Sequence, residues 1–531
     1  MKAKLPRLTL WQGVVLAILA VGLYSTIIRY AQGLGAATNL SDAFPWGLWI
    51  GFDMLVGVGL AAGGFVIAAT VHVFHLHKYE AIARPTILTA FLGYLLVIVA
   101  LLFDLGLPWR IWHPMIFWNP HSVMFEVGWC VMLYTTVLAL EFSPLVLERF
   151  GLKTPLRWIR SIYVPLVIAG VLLSTMHQSS LGTLYVIAAD KLHGLWYSPL
   201  LPVFFFISAV AGGLCMTIFE SFLSYRAFGH RLKPELLQNL ARVTVVVLAV
   251  YSVWRFEDLA LRGNLGLAFQ VTPESVLFWG EMGLGALLPM VLLAIPAVRR
   301  SEQGLVFGAM LAIMGFIVHR LNVAITGMSA SSGVKYFPTW MEFAVTMSIV
   351  GAGFVLFSLA VKYLPVFPHE HGDTAEPVTP AVARLRPRAV SPVFGKAVLA
   401  SLWILLFGGV AAVGYAMTSA TPDPTTTVEP APAAMPRPAV AMPQLPGEYT
   451  FPASADSPGP VTFRHASHVD PSAAACGTCH EALFRINEPG TPIVGVIDYD
   501  RVHTGDLCGS CHDGTRAFAV ADDCTMCHTS Q

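Results

Sequence analysis

The sequence predicts an all-α polytopic membrane protein that ends in a small polar domain, and three observations predict it. Of 531 residues, 55% are hydrophobic and only 12% are charged, where a soluble globular chain carries roughly 25% charged residues. Apolar runs of about twenty residues, the length that crosses a bilayer, recur along most of the chain. The C-terminal stretch breaks this pattern and carries three Cys-x-x-Cys-His motifs instead. Formal net charge is zero, so nothing in the charge balance points to nucleic acid.

Eleven runs qualify as spans: 9–30, 46–74, 85–105, 121–143, 161–178, 199–225, 239–256, 275–296, 303–321, 338–362 and 394–417. The first follows the basic segment Met1-Lys2-Ala3-Lys4-Leu5-Pro6-Arg7. Its apolar core is longer than the 7–15 residues of a cleavable signal, so it reads as a retained helix. The ninth is the least regular, because His319 and Arg320 fall at its end. The first ten spans make a bundle over residues 1–365, and the eleventh reads as an added anchor. Residues 366–393 form a connection. Residues 418–460, rich in Pro, Thr and Ala, form a semi-extended linker, which leaves 461–531 as a tethered domain. Lys and Arg concentrate in alternate loops: Lys2, Lys4 and Arg7; Lys78 and Arg84; Arg149, Lys153, Arg157 and Arg160; Arg226, Arg231 and Lys233; Arg299 and Arg300; Arg384, Arg386, Arg388 and Lys396. Basic loops stay in the cytoplasm. The N-terminus is therefore expected on the cytoplasmic side of a bacterial inner membrane, and eleven crossings put the C-terminal domain in the periplasm.

The three motifs are Cys476-Gly477-Thr478-Cys479-His480, Cys508-Gly509-Ser510-Cys511-His512 and Cys524-Thr525-Met526-Cys527-His528. In such a motif two thiols add to the vinyl groups of one haem, and the adjacent His becomes an axial iron ligand. One copy could be chance or half a zinc site. Three in close succession read as three covalently bound c-type haems, on Cys476, Cys479, Cys508, Cys511, Cys524 and Cys527. The stretch 461–531 holds six His, namely His465, His468, His480, His503, His512 and His528. Three haems need six axial ligands, so the numbers match a bis-histidine set. Irons so ligated have no open position and pass electrons rather than bind substrate. The alternative leaves some of these His solvated and some irons Met-ligated or open, although Met526 sits inside a motif and is poorly placed to bind. Helix and strand signals are weak here, so the haems are expected to serve as the core of this domain. Cys130 and Cys215 lie in apolar runs and read as inert core thiols.

Ionisable residues inside a membrane segment are expensive, and so are functional candidates. Asp53, Asp104, Glu126, His177 and Gln178 fall toward the outer ends of spans two to five, with Trp109, Arg110, His113 and His121 in the adjoining loops. A second outer group is Arg255, Glu257, Asp258, Glu281, His319, Arg320 and Glu342. A quinone headgroup needs this chemistry: donors for its carbonyls, and groups that exchange two protons. For any single residue a structural ion pair at a helix end is the default. The first group taken together points to a quinone site. No His pairs face each other within the spans; His72, His75 and His77 cluster at an inner end, so no haem is expected in the membrane domain. The small-residue run Gly57 to Gly64 reads as close helix packing.

Residues 1 to about 365 resemble the NrfD/polysulfide-reductase superfamily, and within it the HybB branch of Ni/Fe-hydrogenase "cytochrome b" subunits. The stretches that carry the resemblance are Pro45-Trp46-Gly47-Leu48-Trp49-Ile50-Gly51-Phe52-Asp53, Ala61-Ala62-Gly63-Gly64-Phe65, Asp104-Leu105-Gly106-Leu107-Pro108-Trp109-Arg110, Pro120-His121-Ser122-Val123-Met124-Phe125-Glu126 and His177-Gln178-Ser179-Ser180-Leu181-Gly182. The resemblance implies a cofactor-free bundle that binds menaquinone or ubiquinone near the periplasmic side, where an iron–sulfur, ferredoxin-like subunit docks. It makes Asp53, Asp104, Arg110, His121, Glu126 and His177 the quinone-site and proton-path candidates. The tail resembles the class III triheme cytochromes through Phe463-Arg464-His465-Ala466-Ser467-His468. That family's ligand order implies the pairs His465 with His480, His468 with His512, and His503 with His528.

The sequence therefore reads as a membrane subunit of a respiratory redox complex. It would exchange electrons between a membrane quinone and a periplasmic partner, plausibly a Ni/Fe hydrogenase, another periplasmic redox enzyme or soluble c-type cytochromes. It has no hydrogenase Cys ligands of its own. The alternatives are a redox-linked proton or ion translocator, and a plain membrane anchor for a periplasmic cytochrome; ten further helices argue against the last.

Overall fold

The computed structural model describes residues 10–228, 234–332, 334, 336–367, 448–451 and 459–468, and within the C-terminal stretch 479–480, 483–485, 490–493, 496–503, 505–514, 517, 519–520 and 527–528. The expected anchor helix 394–417, the connection before it and most of the linker after it lie outside the described residues. The chain divides into two units, Met1–Ala420 and Thr421–Gln531.

Among the described residues, ten helices are long and apolar enough to cross a membrane, and the protein is an integral, multi-pass membrane protein. They are α1 (Leu10–Gln32), α2 (Trp49–His72), α3 (His77–Asp104), α4 (Val123–Arg149), α5 (Tyr163–Val186), α6 (Leu201–Phe228), α7 (Pro234–Leu261), α8 (Pro273–Ala294), α9 (Glu302–Ser329) and α10 (Trp340–Tyr363). Local signals set several starts. Ser122 accepts from the Phe125 N–H ahead of α4, and Thr339 with Glu342 forms a reciprocal capping box at α10. Two spans outrun their apolar runs. α5 continues past His177, Gln178, Ser179 and Ser180 because His177, Gln178 and Ser180 turn into the core, where they are buried. α9 continues past His319 and Arg320 for the same reason.

Helices α2–α5 pack together, as do α6–α9. α6 joins the two groups by lying on α2 and α5, and α1 and α10 pair with each other while α10 also packs on α3. The small-residue run does mark close approach. A Cβ on Gly63 would come within 2.7 Å of the Gly213 carbonyl oxygen on α6. Gly285 of α8 and Gly315 of α9 meet the same way, a Cβ on either falling 2.2 Å from the other's Cα. Outward faces carry exposed apolar side chains, such as Leu16 and Leu23 of α1 and Val246 and Val253 of α7, as lipid contact requires.

The C-terminal unit is built from short elements. β1 (Tyr449–Phe451) pairs antiparallel with β2 (Val461–Phe463) in the register Tyr449↔Phe463, Thr450↔Thr462 and Phe451↔Val461. One strand of this pair thus comes from the stretch that composition assigns to the linker. Turns at His465–Ser467 and Leu507–Ser510 and a short helix at Tyr499–His503 complete the described part.

Candidate functional site

Successive spans alternate in direction, so the Lys/Arg-rich loops share one face and the starts of α2, α4 and α10 and the end of α3 share the other. Asp53 lies in a π-helical turn, Trp49–Met54, at that opposite face. Such turns widen a helix and are frequent at functional sites. Its buried carboxylate accepts a hydrogen bond from Thr346 Oγ1 of α10 at 2.7 Å. Asp104 ends α3 and keeps Oδ1 buried without a hydrogen-bond partner among the described residues. Arg29 of α1 reaches the same end and donates to the Phe103 and Leu105 carbonyls at 2.7 Å each, closing the carbonyl end of the helix. Asp104 is within electrostatic reach of Arg29, Glu342 and Asp53. At the rim, outside the spans, burial together with neighbouring Glu342 pushes the Tyr336 phenol above its ordinary value. That phenol donates to Glu342 and accepts from the Leu48 N–H at 2.8 Å.

His177 is wholly buried on α5, with Nδ1 2.9 Å from the Tyr94 hydroxyl of α3. Its Nε2 has no partner among the described residues, and neither does either amide atom of Gln178. Glu126 accepts from Ser180 Oγ at 2.5 Å, tying α4 to α5. Arg110 and His121 are exposed in the loop between α3 and α4. The six sequence candidates thus fall into two neighbouring acids, Asp53 buried and Asp104 half-buried, a buried His with a half-buried Glu on the adjoining helix, and two surface residues. Sequence reasoning missed Arg29, Tyr94 and Thr346. Arg29 was readable as a charge inside an apolar run. A Tyr and a Thr are ordinary core residues in such helices and carry no distinguishing signal.

The second polar group is organised around Glu281, in the π-helical turn Gly280–Leu287 of α8. Its carboxylate meets His319 Nδ1 at 2.7 Å and accepts from Trp196 Nε1 at 2.9 Å and Asn322 Nδ2 at 3.1 Å. Arg320 donates to the Phe205 carbonyl at 2.9 Å and lies 3.6 Å from that residue's ring centroid. Arg255 donates to the Leu195 carbonyl at 2.6 Å, and Arg262 grips Asp258 Oδ2 at 2.6 and 3.0 Å. A cavity of about 20 Å³ beside Ser208, Tyr251, Glu281 and His319 has room for about one water. A wider, open hollow of about 440 Å³ lies along Phe269, Val271, Val276 and Trp279.

In the C-terminal unit the histidines converge in pairs. The His465 and His480 ring centroids are 6.3 Å apart, and those of His468 and His512 are 6.1 Å apart. Two imidazole nitrogens on one metal sit about 4 Å apart at bond lengths of about 2 Å, so ring separations of this size fit an iron between each pair. His480, His468 and His528 place Nδ1 at 3.2, 3.0 and 2.6 Å from the carbonyls of Phe484, Arg464 and Gly459. A carbonyl on Nδ1 fixes the ring and leaves Nε2 as the ligand atom. Cys479, Cys508, Cys511 and Cys527 are in no disulfide, so their sulfurs are available for thioether bonds. Cys476 and Cys524 lie outside the described residues. Gly509, inside the second motif, permits a close approach: a Cβ there would fall 1.9 Å from the Val502 carbonyl oxygen, next to His503.

Fold and site together define a polytopic helical membrane protein that carries a small c-type cytochrome domain. The chain belongs to the polysulphide reductase NrfD family, whose model matches residues 36–330, and residues 461–529 match cytochrome c7 and related cytochrome c. It is 39% identical to a protein of Nitratidesulfovibrio vulgaris over 67% of this chain and 94% of that one. It is 35% identical to the probable Ni/Fe-hydrogenase 2 b-type cytochrome subunit of Escherichia coli, over 64% of this chain and 88% of that protein. With the menaquinone reductase integral membrane subunit of Nitratidesulfovibrio vulgaris it shares 29% identity, over 70% of this chain and 94% of that one.

Proposed function

We propose that this chain is the quinone-exchanging membrane subunit of a respiratory redox complex, with a triheme electron relay on its C-terminal unit. The observation that carries the reading is the group of buried, unpartnered polar atoms on adjoining residues of α5: His177 Nε2 and both amide atoms of Gln178. Buried polar atoms are nearly always satisfied, so a cluster that is not calls for a ligand. A quinone carbonyl would accept from His177 and Gln178. With Tyr94 donating to Nδ1, the His177 proton sits on Nε2, where it faces that carbonyl. Asp53 and Asp104 would exchange the protons, Glu126 would steady α4 against α5 through Ser180, and Arg110 and His121 would stand at the rim. The names of the relatives, a menaquinone reductase subunit and a hydrogenase cytochrome subunit, support a menaquinone or ubiquinone substrate and a Ni/Fe hydrogenase or another periplasmic redox enzyme as partner. An iron–sulfur subunit and soluble c-type cytochromes are further candidates for the contact.

Six histidines in the pairs His465–His480, His468–His512 and His503–His528 would hold three haems, with the six motif Cys as thioether sites. When bound, these groups supply one-electron carriers. The basic loops support a cytoplasmic face for that side of the bundle, and so an inner-membrane protein with 461–531 in the periplasm, reached through an anchor at 394–417 and a linker at 418–460.

Stopped-flow spectroscopy of the purified protein with a menaquinol analogue tests the reading. Quinol is expected to reduce the haems, and His177→Ala and Asp53→Asn to slow this by about 10²–10⁴-fold, the usual contribution of a proton-transfer group. Wild-type haems that stay oxidised, at potentials that permit reduction, would refute a direct quinone–haem link.

A further inference from the structure

Between α4 and α5, on the face of the basic loops, the chain turns sharply and forms a short helix, Lys153–Ser161. Gly151 makes the turn. It sits at φ +66°, in the left-handed region that glycine enters without strain. The Gly151 N–H donates to the Glu148 carbonyl at 3.2 Å and the Leu152 N–H to the Leu147 carbonyl at 3.0 Å, which closes α4. The helix that follows buries none of its side chains.

Its sequence has two sides. Lys153, Arg157 and Arg160, at spacings of four and three, return to one stripe. Leu152, Leu156 and Ile159, at the same spacings, return to another, with Trp158 on its flank. Leu156 and Ile159 are half-buried. Trp158 is 74% exposed, and Phe150, Leu152 and Ile162 at the two ends of the helix are exposed as well. A helix that is basic on one side and apolar on the other lies in the plane of a membrane interface, apolar side toward the acyl chains. Trp is favoured at that depth.

Ion pairs fix the helix in place and leave part of its charge free. Glu148 of α4 meets Arg160 at 2.9 Å and Arg84 of α3 at 3.3 Å. Arg84 also donates to the Pro365 carbonyl at 3.2 Å, and Arg149 to the Tyr363 carbonyl, at the end of α10, at 3.0 Å. Lys153 and Arg157 make no hydrogen bond or ion pair among the described residues. The acid that this basic group bonds is Glu148, set against Arg84, Arg149, Lys153, Arg157 and Arg160. The surplus is positive, and it stands beside exposed apolar side chains.

We propose that Lys153–Ser161 binds an anionic phospholipid, with the phosphate held by Lys153 and Arg157 and the acyl chains against Trp158. Basic groups pair with phosphate oxygens through charge-assisted hydrogen bonds. A free phosphate would use the charges and leave Phe150, Trp158 and Ile162 uncovered; a lipid uses both sides of the helix. The bound lipid would join the ends of α4 and α5 on the basic face.

The experiment uses the full-length, haem-loaded protein, delipidated in a mild detergent and titrated with phosphatidylglycerol or phosphatidylcholine. Native mass spectrometry counts the bound lipids. Wild type is expected to bind phosphatidylglycerol at least ten-fold more tightly than phosphatidylcholine. A basic residue at a lipid surface contributes roughly 1 kcal/mol, about five-fold in affinity, so Lys153→Gln with Arg157→Gln is expected to weaken phosphatidylglycerol about 25-fold. Neither side chain bonds a neighbour, so this variant is expected to melt like wild type. Arg157→Lys is expected to keep most of the affinity, and Trp158→Ala to lose part of it with every charge in place. Lys78→Gln with Arg300→Gln removes the same charge from two other loops of that face and is expected to match wild type. Equal affinity for the two lipids, or equal weakening in the two double variants, would overturn the proposal. Displacement of phosphatidylglycerol by millimolar inorganic phosphate would overturn it too, by making this a site for the free anion.

Discussion

The membrane unit and the C-terminal unit fill their interiors in opposite ways. The membrane unit buries its own side chains, in a continuous core that includes Trp196, Tyr94, Tyr134, Phe204, Phe205 and Phe278 at 0% exposure. Among the described residues of the C-terminal unit, Leu507 is the one buried hydrophobic side chain. Its histidines and thiols converge instead, as they must if a planar cofactor occupies the middle. Polar groups accordingly mean different things in the two units. In the membrane unit an unpartnered polar atom stands out against a packed apolar background. In the C-terminal unit the described histidines are half-buried or exposed, and carbonyls on Nδ1 are what aim three of them.

The largest test of this contrast removes a thioether. Cys511→Ser is expected to lose one haem and to open the C-terminal unit to limited proteolysis, while the membrane unit keeps its melting behaviour; loss of both units together would break the comparison. Next comes Glu281→Ala. Removing the shared acceptor leaves His319, Trp196 and Asn322 without their buried partner, and is expected to cost the membrane unit about 3–5 kcal/mol in detergent unfolding with haem spectra unchanged. Gly509→Ala forces a methyl group against the Val502 carbonyl. A loss of about 1–3 kcal/mol, the usual cost of overpacking, is expected to be confined to the C-terminal unit, with an altered spectrum for one haem.

The smallest effect concerns Asp506. Hydrogen bonds from Arg501, and then from the Leu507 N–H, hold its carboxyl below its ordinary value. A carboxyl lowered in the folded state stabilises above its unfolded value and loses that stabilisation as pH falls through the folded one. The protection of the Leu507 amide, taken against its intrinsic exchange rate at the same pH, is therefore expected to fall as the solution is acidified, and Asp506→Asn to abolish the change. A protection factor in the wild type that does not vary with pH would show that the pair does nothing for the turn.

Much of this molecule was legible before its structure. The ten described helices follow from apolar runs, and the cytochrome c domain from a motif whose spacing is set by covalent chemistry. Span ends were less legible where the chain turns polar yet stays in the core. The reading stopped at 178 because His177 and Gln178 look like an interface, whereas α5 runs on to Val186. Site membership was legible only in part. Asp53 and Asp104 do come together, but Arg110 and His121, their equals as motif residues, stay on the surface.

By itself the sequence determined what depends on neighbours along the chain: the length of each apolar run, the charge of each loop, and the Cys and His that share a motif. Tertiary structure alone decided which polar groups have partners. The partners of Glu281 come from two distant segments, Trp196 before α6 and His319 with Asn322 on α9, while Glu141 lies beside Gly170 and makes no hydrogen bond or ion pair among the described residues. Both are glutamates in apolar helices, and no local pattern separates them. The difference lies in what packing brings against each carboxylate from distant parts of the chain, and in a bilayer no water is there to make the two equivalent.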